Sequence, residues 1–320
     1  MNETIERYIL ELIRRSTPRR TAWNMEKIRE GTDVSWNYID GCMLTALLAM
    51  SEITGDDRYA AFVEEVADSF VREDGSIDTF RPEKHALDDY NEGRILFPMY
   101  MRTENEKYRK AAEMLYRSLG EQPRTAEGNF WHKEIYPNQV WLDGTYMALP
   151  FAAMFENSFG KGEIRDIMAQ MRNVRQKMRD PKTGLYYHGY DASRKAFWAD
   201  PESGMYHQVV DQAGREGNYP ETSGSAMIAC AMLKGTRLGA LDESFREKGR
   251  KTFDGICRNH LKVQDGMVEL DNICLVAGLG PENNRRRDGS YEYYISEPVV
   301  CNDAKGAAPF VLCYTEVKRI

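Results

Sequence analysis

The chain has 320 residues, 42% of them hydrophobic and 29% charged, which is enough to bury the core of one large domain or two ordinary ones. Its net charge of −7 argues against nucleic acid as the main partner, and an anionic small molecule would need a locally basic pocket. The sequence has no apolar run of about 18 residues, so no membrane span is expected. The amphipathic start MNETIERYILELIRR lacks the apolar core of a signal peptide.

The six cysteines are scattered along the chain without CxxC or metal-like spacing. This pattern predicts reduced thiols in a cytoplasmic protein. No HxH, HExxH or clustered Cys/His pattern is present, so no metal site is expected. The sequence also lacks the GxGxxG and GxxxxGK[ST] patterns of nucleotide sites, and we expect no cofactor.

Helices dominate the predicted secondary structure. Apolar residues at helical spacing predict ten helices, at 3–15, 37–53, 57–72, 89–102, 105–119, 143–156, 161–178, 221–238, 242–260 and 303–317. Strand-like alternation is limited to 184–190, 206–211 and 267–271, which are predicted to form short hairpins in loops.

The predicted helices form pairs. First members, such as GCMLTALLAM and SGSAMIACAML, are apolar nearly all round and are therefore predicted to be buried. Second members, such as EKYRKAAEMLYRSL, have a charged face and are predicted to lie at the periphery. An alternation of buried and peripheral helices predicts an all-α toroid of helical hairpins, with an inner ring inside an outer ring.

One position in the predicted ring is vacant. The inner helices begin near residues 36, 89 and 142, a regular step of 53. The next inner helix should begin near 195, but the turn-rich segment FWADPESG stands there, and the following inner helix begins only near 221. Ten helices are therefore readable where a closed ring of six hairpins needs twelve.

Each inner helix opens with a polar cluster: SWNYIDG, HALDDYNEG and QVWLDG. In a ring of hairpins these openings point to the same end. The carboxylates of the clusters are therefore expected to line one concave mouth, and they are Asp40, Asp88, Asp89 and Asp143.

Asp143 has two interpretations. It is either an N-cap, whose side chain accepts hydrogen bonds from the amides of the first helical turn, or an acid in an aromatic pocket. Trp131, Trp141 and Tyr146 are close to it in sequence, and aromatic walls desolvate a carboxyl group. Desolvation raises the pKa of a carboxyl group, which a general acid requires near neutral pH.

The Asp88–Asp89 pair has the same two interpretations: a cap with a favourable dipole interaction, or a second carboxylate facing Asp143 across the mouth. His132 and His188 lie in aromatic loops where a sugar or a carboxylate partner would bind; a hydrogen-bonded loop histidine is the alternative. Aromatic residues concentrated in these loops are typical of platforms that stack on sugar rings.

Several of these motifs resemble those of a known family. They are QVWLDGTYMALPF, HALDDYNEGR, FWHKEIYPNQ, GLYYHGYD, VVDQAGREGNYPETSGSAMIACAMLKG and SYEYYISEPVVCNDAKGAAPF. They resemble the unsaturated rhamnogalacturonyl hydrolases, glycoside hydrolase family 105, and next the unsaturated glucuronyl hydrolases. The resemblance covers nearly the whole chain and implies an (α/α)6 barrel forming a single catalytic domain over residues 1–320.

The resemblance also implies a reaction. The substrates of the family are pectin-derived oligosaccharides that end in a uronic acid with a double bond between C4 and C5, and catalysis is hydration of this enol ether. The resemblance makes Asp143 the proton donor and Asp88 the second carboxylate. It places five further residues at substrate contacts, which are Tyr38, His132, Lys133, Trp141 and His188.

The chain departs from the family pattern at one place. Members of the family carry a segment like FWGRGxGW after GLYYHGYD, whereas here FWADPESG runs directly into MYHQVVDQ. About one hairpin of roughly 50 residues is therefore missing near Gly204, through a natural deletion, an engineered one or an omitted segment. Three functions stay open: a rhamnogalacturonyl hydrolase, a glucuronyl hydrolase, and a sugar-binding relative that lost catalysis with the hairpin. A sugar epimerase would need paired histidines on inner helices, which the sequence lacks.

Overall fold

The computed structural model describes residues 2–179, 202–210, 212–278 and 286–320, and within them the protein is mainly helical. The α-helices are α1 Asn2–Arg14, α2 Met25–Glu30, α3 Tyr38–Thr54, α4 Asp57–Phe70, α5 Leu96–Thr103, α6 Glu106–Gly120, α7 Leu142–Ser158, α8 Arg165–Met178, α9 Thr222–Arg237, α10 Ser244–His260, α11 Tyr291–Ser296 and α12 Ala304–Arg319. No helix of the described residues is both long and apolar enough to cross a bilayer.

Strands are short and form two antiparallel pairs. β1 (Leu261–Gln264) pairs with β2 (Met267–Leu270), and β3 (Ile273–Cys274) pairs with β4 (Val299–Val300). The hairpin predicted around 267–271 is thus confirmed. In the segment predicted at 206–211, His207 forms an isolated antiparallel bridge with Pro220. The predicted strand 184–190 lies outside the described residues.

The chain divides into two compact units. The first contains residues 1–34, 42–63 and 195–320, and in it α9 packs against both α10 and α12. The boundaries of these helices follow from their caps. Glu221 accepts hydrogen bonds from the amides of Ser223 and Gly224 at the start of α9. Asp303 accepts one from the amide of Lys305 at the start of α12.

The segment around Gly204 packs tightly against α10 within this first unit. Thr252 donates a hydrogen bond of 2.8 Å from its hydroxyl to the carbonyl of Gly204. A Cβ atom at Gly255 would stand only 2.1 Å from the carbonyl oxygen of Ser203, so α10 needs a glycine there. Met205 is fully buried. The point at which the predicted repeat breaks is therefore an integral part of the packing.

The second unit contains residues 35–41 and 64–194, and its helices α5, α6, α7 and α8 pack in chain order. The predicted contrast between buried and peripheral helices holds here. α7 buries residues on several faces, including Met147, Ala148 and Leu149 in succession. α8 buries four residues at a spacing of three or four, which leave one charged face outside: Ile167, Gln170, Val174 and Met178.

The helix predicted over 89–102 begins later than expected. Two 3₁₀ turns, Leu87–Tyr90 and Glu92–Ile95, precede α5, which starts only at Leu96. Pro98 lies in the first turn of α5, where a missing amide hydrogen removes no hydrogen bond within the helix. The Asp88–Asp89 pair therefore belongs to a 3₁₀ turn, and the prediction that it begins an α-helix was wrong.

Candidate functional site

Asp143 lies in the first turn of α7, not at its cap. The N-cap is Trp141, whose backbone is extended (φ −108°, ψ 147°) and whose side chain makes no capping bond. The capping interpretation of Asp143 was therefore wrong. In the first turn, the half-buried Asp143 carboxyl group faces the positive end of the helix dipole.

A stack of aromatic rings stands beside the start of α7. The rings of His132 and Trp141 are 4.3 Å apart between centroids and inclined by 14°, and Tyr136 stacks on Trp141 at 4.9 Å. Gln139 holds the stack, because its carbonyl accepts from the amide of His132 and its side-chain oxygen accepts from the indole of Trp141, both at 2.9 Å. Aromatic side chains of this kind are common where proteins bind sugars. The sequence did not single out Tyr136, although its motif contained it.

Gly144 brings the main chain next to Asp143 onto this stack. A Cβ atom at Gly144 would stand 2.6 Å from Nδ1 of His132 and 3.3 Å from a methyl group of Leu87. His132 is only 2% exposed and stacked on Trp141, so its ring has little room to move. The glycine of WLDG is thus explained by close approach of α7 to His132.

We expect Gly144→Ala to destabilise the protein by about 1–3 kcal/mol, the usual cost of overpacking a filled site. It should also reduce whatever activity depends on the position of His132. Denaturant unfolding measures the first effect. Gly120→Ala is the matched control, since Gly120 ends α6 and a Cβ atom there would meet nothing within 4 Å. Equal stability of the two variants would contradict the close approach.

Asp88 is held by a cation. Nζ of Lys133 lies 2.6 Å from one carboxylate oxygen of Asp88, and Nε2 of His132 lies 3.8 Å from the other. Burial alone would lower the pKa of Lys133, but the charge and hydrogen bond of Asp88 outweigh it and raise that pKa. The amide of Leu87 donates to the carbonyl of His132 at 3.0 Å, which ties the two segments together. Since α7 packs on the turn that carries Asp88, the structure brings Asp88, His132, Lys133 and Trp141 to one place.

Asp89, beside this pair, is half-buried. Burial, followed by the negative charge of Asp88, raises the pKa of Asp89 to about 7. The pair of adjacent carboxyl groups is therefore asymmetric: Asp88 has a cationic partner, and Asp89 holds a proton near neutral pH.

A measurable pH dependence follows from Asp89. Its carboxyl group ionises near pH 4 in the unfolded chain but only near pH 7 in the folded protein, so the folded state binds more protons between these values. The contribution of Asp89 to the free energy of unfolding therefore falls as the pH rises from about 4 to 7. Denaturant unfolding at pH 5 and pH 8 should show that Asp89→Asn gains stability relative to the wild type at the higher pH. The same stability difference at both values would contradict the raised pKa.

The other predicted site residues differ in where they lie. Tyr38 is the first residue of α3 and is partly exposed, so it is available for contact. Asp40 is fully buried, and the expectation that it lines an open mouth was wrong, because α3 starts two residues before it. His188 lies outside the described residues. Among the described residues, no group of three or more histidine, cysteine or acidic side chains is arranged to bind a metal ion.

A groove of about 650 Å³ runs along α10. Its lining mixes basic and acidic side chains with the last residue of the chain: Arg246, Glu247, Arg250, Lys251, Asp254, Arg258 and Ile320. Two of its cations are already paired, Arg246 with Glu243 and Arg250 with Asp254. The groove contains none of the predicted site residues, and the chemistry described above does not involve it.

Comparison with known proteins identifies the family of the chain. The sequence profile of Glycosyl Hydrolase Family 88 matches residues 12–204 and 200–320. These two segments meet where the helical repeat breaks. A solved glycoside hydrolase from family 105 of C. acetobutylicum ATCC 824 superposes with a TM-score of 0.84 at 33% identity, covering 99% of each chain.

Two curated relatives also match. Protein Atu3128 of Agrobacterium fabrum is 30% identical over 53% of this chain and 97% of its own length. The unsaturated rhamnogalacturonyl hydrolase YesR of Bacillus subtilis is 22% identical over 64% of this chain and 72% of its own length.

These similarities, with the helical hairpins, define an all-α glycoside hydrolase of the helical-barrel class, as the sequence predicts. More particularly, the chain belongs to Glycosyl Hydrolase Family 88, with family 105 enzymes among its structural neighbours.

Proposed function

We propose that the protein removes a terminal 4,5-unsaturated uronic acid from oligosaccharides derived from the rhamnogalacturonan of pectin, and that it does so in the cytoplasm. Family membership supports action on unsaturated uronides. The name of YesR supports the rhamnogalacturonyl substrate. The scattered cysteines, all free within the described residues, are compatible with a reducing compartment.

The observation that carries the proposal is the position of Asp143. Its half-buried carboxyl group lies in the first turn of α7, next to the glycine that touches His132, and the Asp88–Lys133 pair lies on the other side of the same histidine. An acid, a second carboxylate with its cation, and an aromatic stack are the components that hydration of an unsaturated sugar requires.

The proposed reaction begins with proton transfer from Asp143 to C4 of the double bond. The positive charge that develops is shared by C5 and the ring oxygen. Water then forms a bond to C5 and gives its proton to the Asp143 carboxylate, which restores the acid. The resulting hemiketal opens and releases the remaining sugar. Asp88, with its charge held by Lys133, is proposed to orient the attacking water, and Trp141 to stack on the sugar ring.

In this proposal Tyr38, His132 and His188 contact the substrate, as the family resemblance implies. Tyr38 opens α3, and His132 forms the back of the aromatic stack.

The test is a comparison of substrates. Hydration removes the conjugated double bond, so ultraviolet absorbance falls as the reaction proceeds. An unsaturated rhamnogalacturonan disaccharide should lose its absorbance faster than unsaturated glucuronyl disaccharides at equal concentration. Faster loss of absorbance with a glucuronyl substrate would mean that the protein is an unsaturated glucuronyl hydrolase instead. Absence of loss with every substrate would reject the proposed reaction.

A further inference from the structure

Arg94 stands out as a cation without an anion. It belongs to the 3₁₀ turn Glu92–Ile95, and its side chain is partly buried. Within the described part of the chain, its guanidinium group forms no ion pair, and its Nε atom is buried without a hydrogen-bond partner. A charged group removed from water is costly unless something compensates it, and a chain with a net charge of −7 has many carboxylates to offer. None of the described ones is placed at Arg94.

Tyr146 fixes the orientation of this cation. Nη1 of Arg94 donates to the hydroxyl oxygen of Tyr146 at 3.2 Å, and the guanidinium carbon lies 5.5 Å from the centre of the Tyr146 ring. A neutral acceptor and a ring face hold a guanidinium group in place without neutralising it. The remaining donors of Arg94 are left for a ligand, in the planar arrangement that binds a carboxylate through two hydrogen bonds.

The Arg94–Tyr146 pair is built on the same two segments as the proposed catalytic groups. Tyr146 follows Asp143 by three residues in α7, so the two side chains share a helix face and stand about 4.5 Å apart along the axis. Arg94 follows Asp88 by six residues, and the turns of both pack against α7. Lys133 already pairs with Asp88, whereas Arg94 contacts Tyr146 and pairs with no carboxylate among the residues that the structure describes.

The chemistry of an unsaturated uronate calls for such a cation. Its carboxylate is attached to C5, directly beside the carbon that receives the proton, so the anion must lie close to Asp143 during the reaction. We propose that Arg94, held by Tyr146, binds the carboxylate of the terminal uronate and makes the enzyme select the charged acid over its neutral ester. This inference rests on the proposed function.

The experiment compares an unsaturated uronyl disaccharide with its methyl ester, which has the same ring but no charge. The wild type should show a lower KM for the acid. Arg94→Gln should raise the KM for the acid by about 10- to 100-fold, the range expected for loss of a charge-assisted pair, and leave the KM for the ester nearly unchanged. Arg94→Lys should keep part of the preference. Arg117→Gln, which removes an exposed cation of α6, is the matched control and should keep all of it.

The ratio of the two KM values is measured on one protein preparation, so a smaller folded fraction does not change it. An unchanged acid-to-ester ratio in Arg94→Gln, with an active wild type, would overturn this inference alone. A wild type that hydrates neither compound would overturn the proposed function, and the role of Arg94 with it.

Discussion

Asp143→Asn should abolish release of product while the protein stays folded. An amide cannot give up a proton at neutral pH. The variant therefore has no group to protonate C4 and none to accept the proton of the attacking water. We expect kcat to fall by at least about 1,000-fold, within the range for loss of a group that acts as both acid and base. Ultraviolet absorbance of the unsaturated disaccharide measures the rate, and thermal unfolding measures the folded state.

The structural cost of this substitution should be small. Asp143 is not the cap of α7, and the interaction of a first-turn charge with the helix dipole contributes only about 0.3–1 kcal/mol. Asp57→Asn is the matched control, because Asp57 is likewise an acidic residue in the first turn of a helix, α4, but has no place in the proposed reaction. It should turn over substrate at the wild-type rate. Wild-type turnover by Asp143→Asn would contradict the role of Asp143 as the proton donor.

Much of the fold was predictable because its signals are local. α9 and α12 begin within one residue of their predicted starts, since Glu221 and Asp303 are capping side chains followed by apolar residues at helical spacing. α2 and α11 were missed because six residues are too short to show a period. α5 was misplaced by seven residues, because an apolar run such as GRILFPMYM does not distinguish a 3₁₀ turn from an α-helix.

The sequence could predict candidate site residues but not which of them contact each other. WLDG and LDDYN placed Asp143 and Asp88 at the openings of buried helices; Asp143 lies in the first turn of α7, whereas Asp88 lies in a 3₁₀ turn that precedes α5. The ion pair between Asp88 and Lys133 joins residues 45 apart in the chain, and no pattern in the sequence reports such a pair. The same holds for Arg94 and Tyr146, which are 52 apart. An arginine directly before the apolar run ILFPMYM was the available signal for Arg94.

The asymmetry between Asp88 and Asp89 shows how one turn can give two adjacent carboxyl groups different states. The turn is 3₁₀, so successive side chains point about 120° apart, and only Asp88 reaches Lys133. Asp89 stays half-buried beside a negative neighbour and keeps its proton to about pH 7.

Asp88→Asn should lower kcat by about 100- to 10,000-fold, because a neutral amide orients and polarises water far less than a carboxylate. It should also cost about 1.5–3 kcal/mol of stability, since Lys133 then keeps its charge in a partly buried position without a partner. Absorbance assays and denaturant unfolding measure the two effects separately. Asp166→Asn is the control for the loss of an ion pair, because Asp166 pairs with Arg124 at the exposed surface of the same unit.

The double variant Asp88→Asn/Lys133→Met separates the two roles of this pair. Lys133→Met eliminates the cation that Asp88→Asn leaves without its partner. The double variant should therefore recover part of the stability that Asp88→Asn loses. It should not recover turnover, because the carboxylate that orients water is still absent. Recovery of turnover together with stability would mean that Asp88 serves only to neutralise Lys133. Loss of stability without any recovery would mean that Asp88 contributes to the fold through contacts other than Lys133.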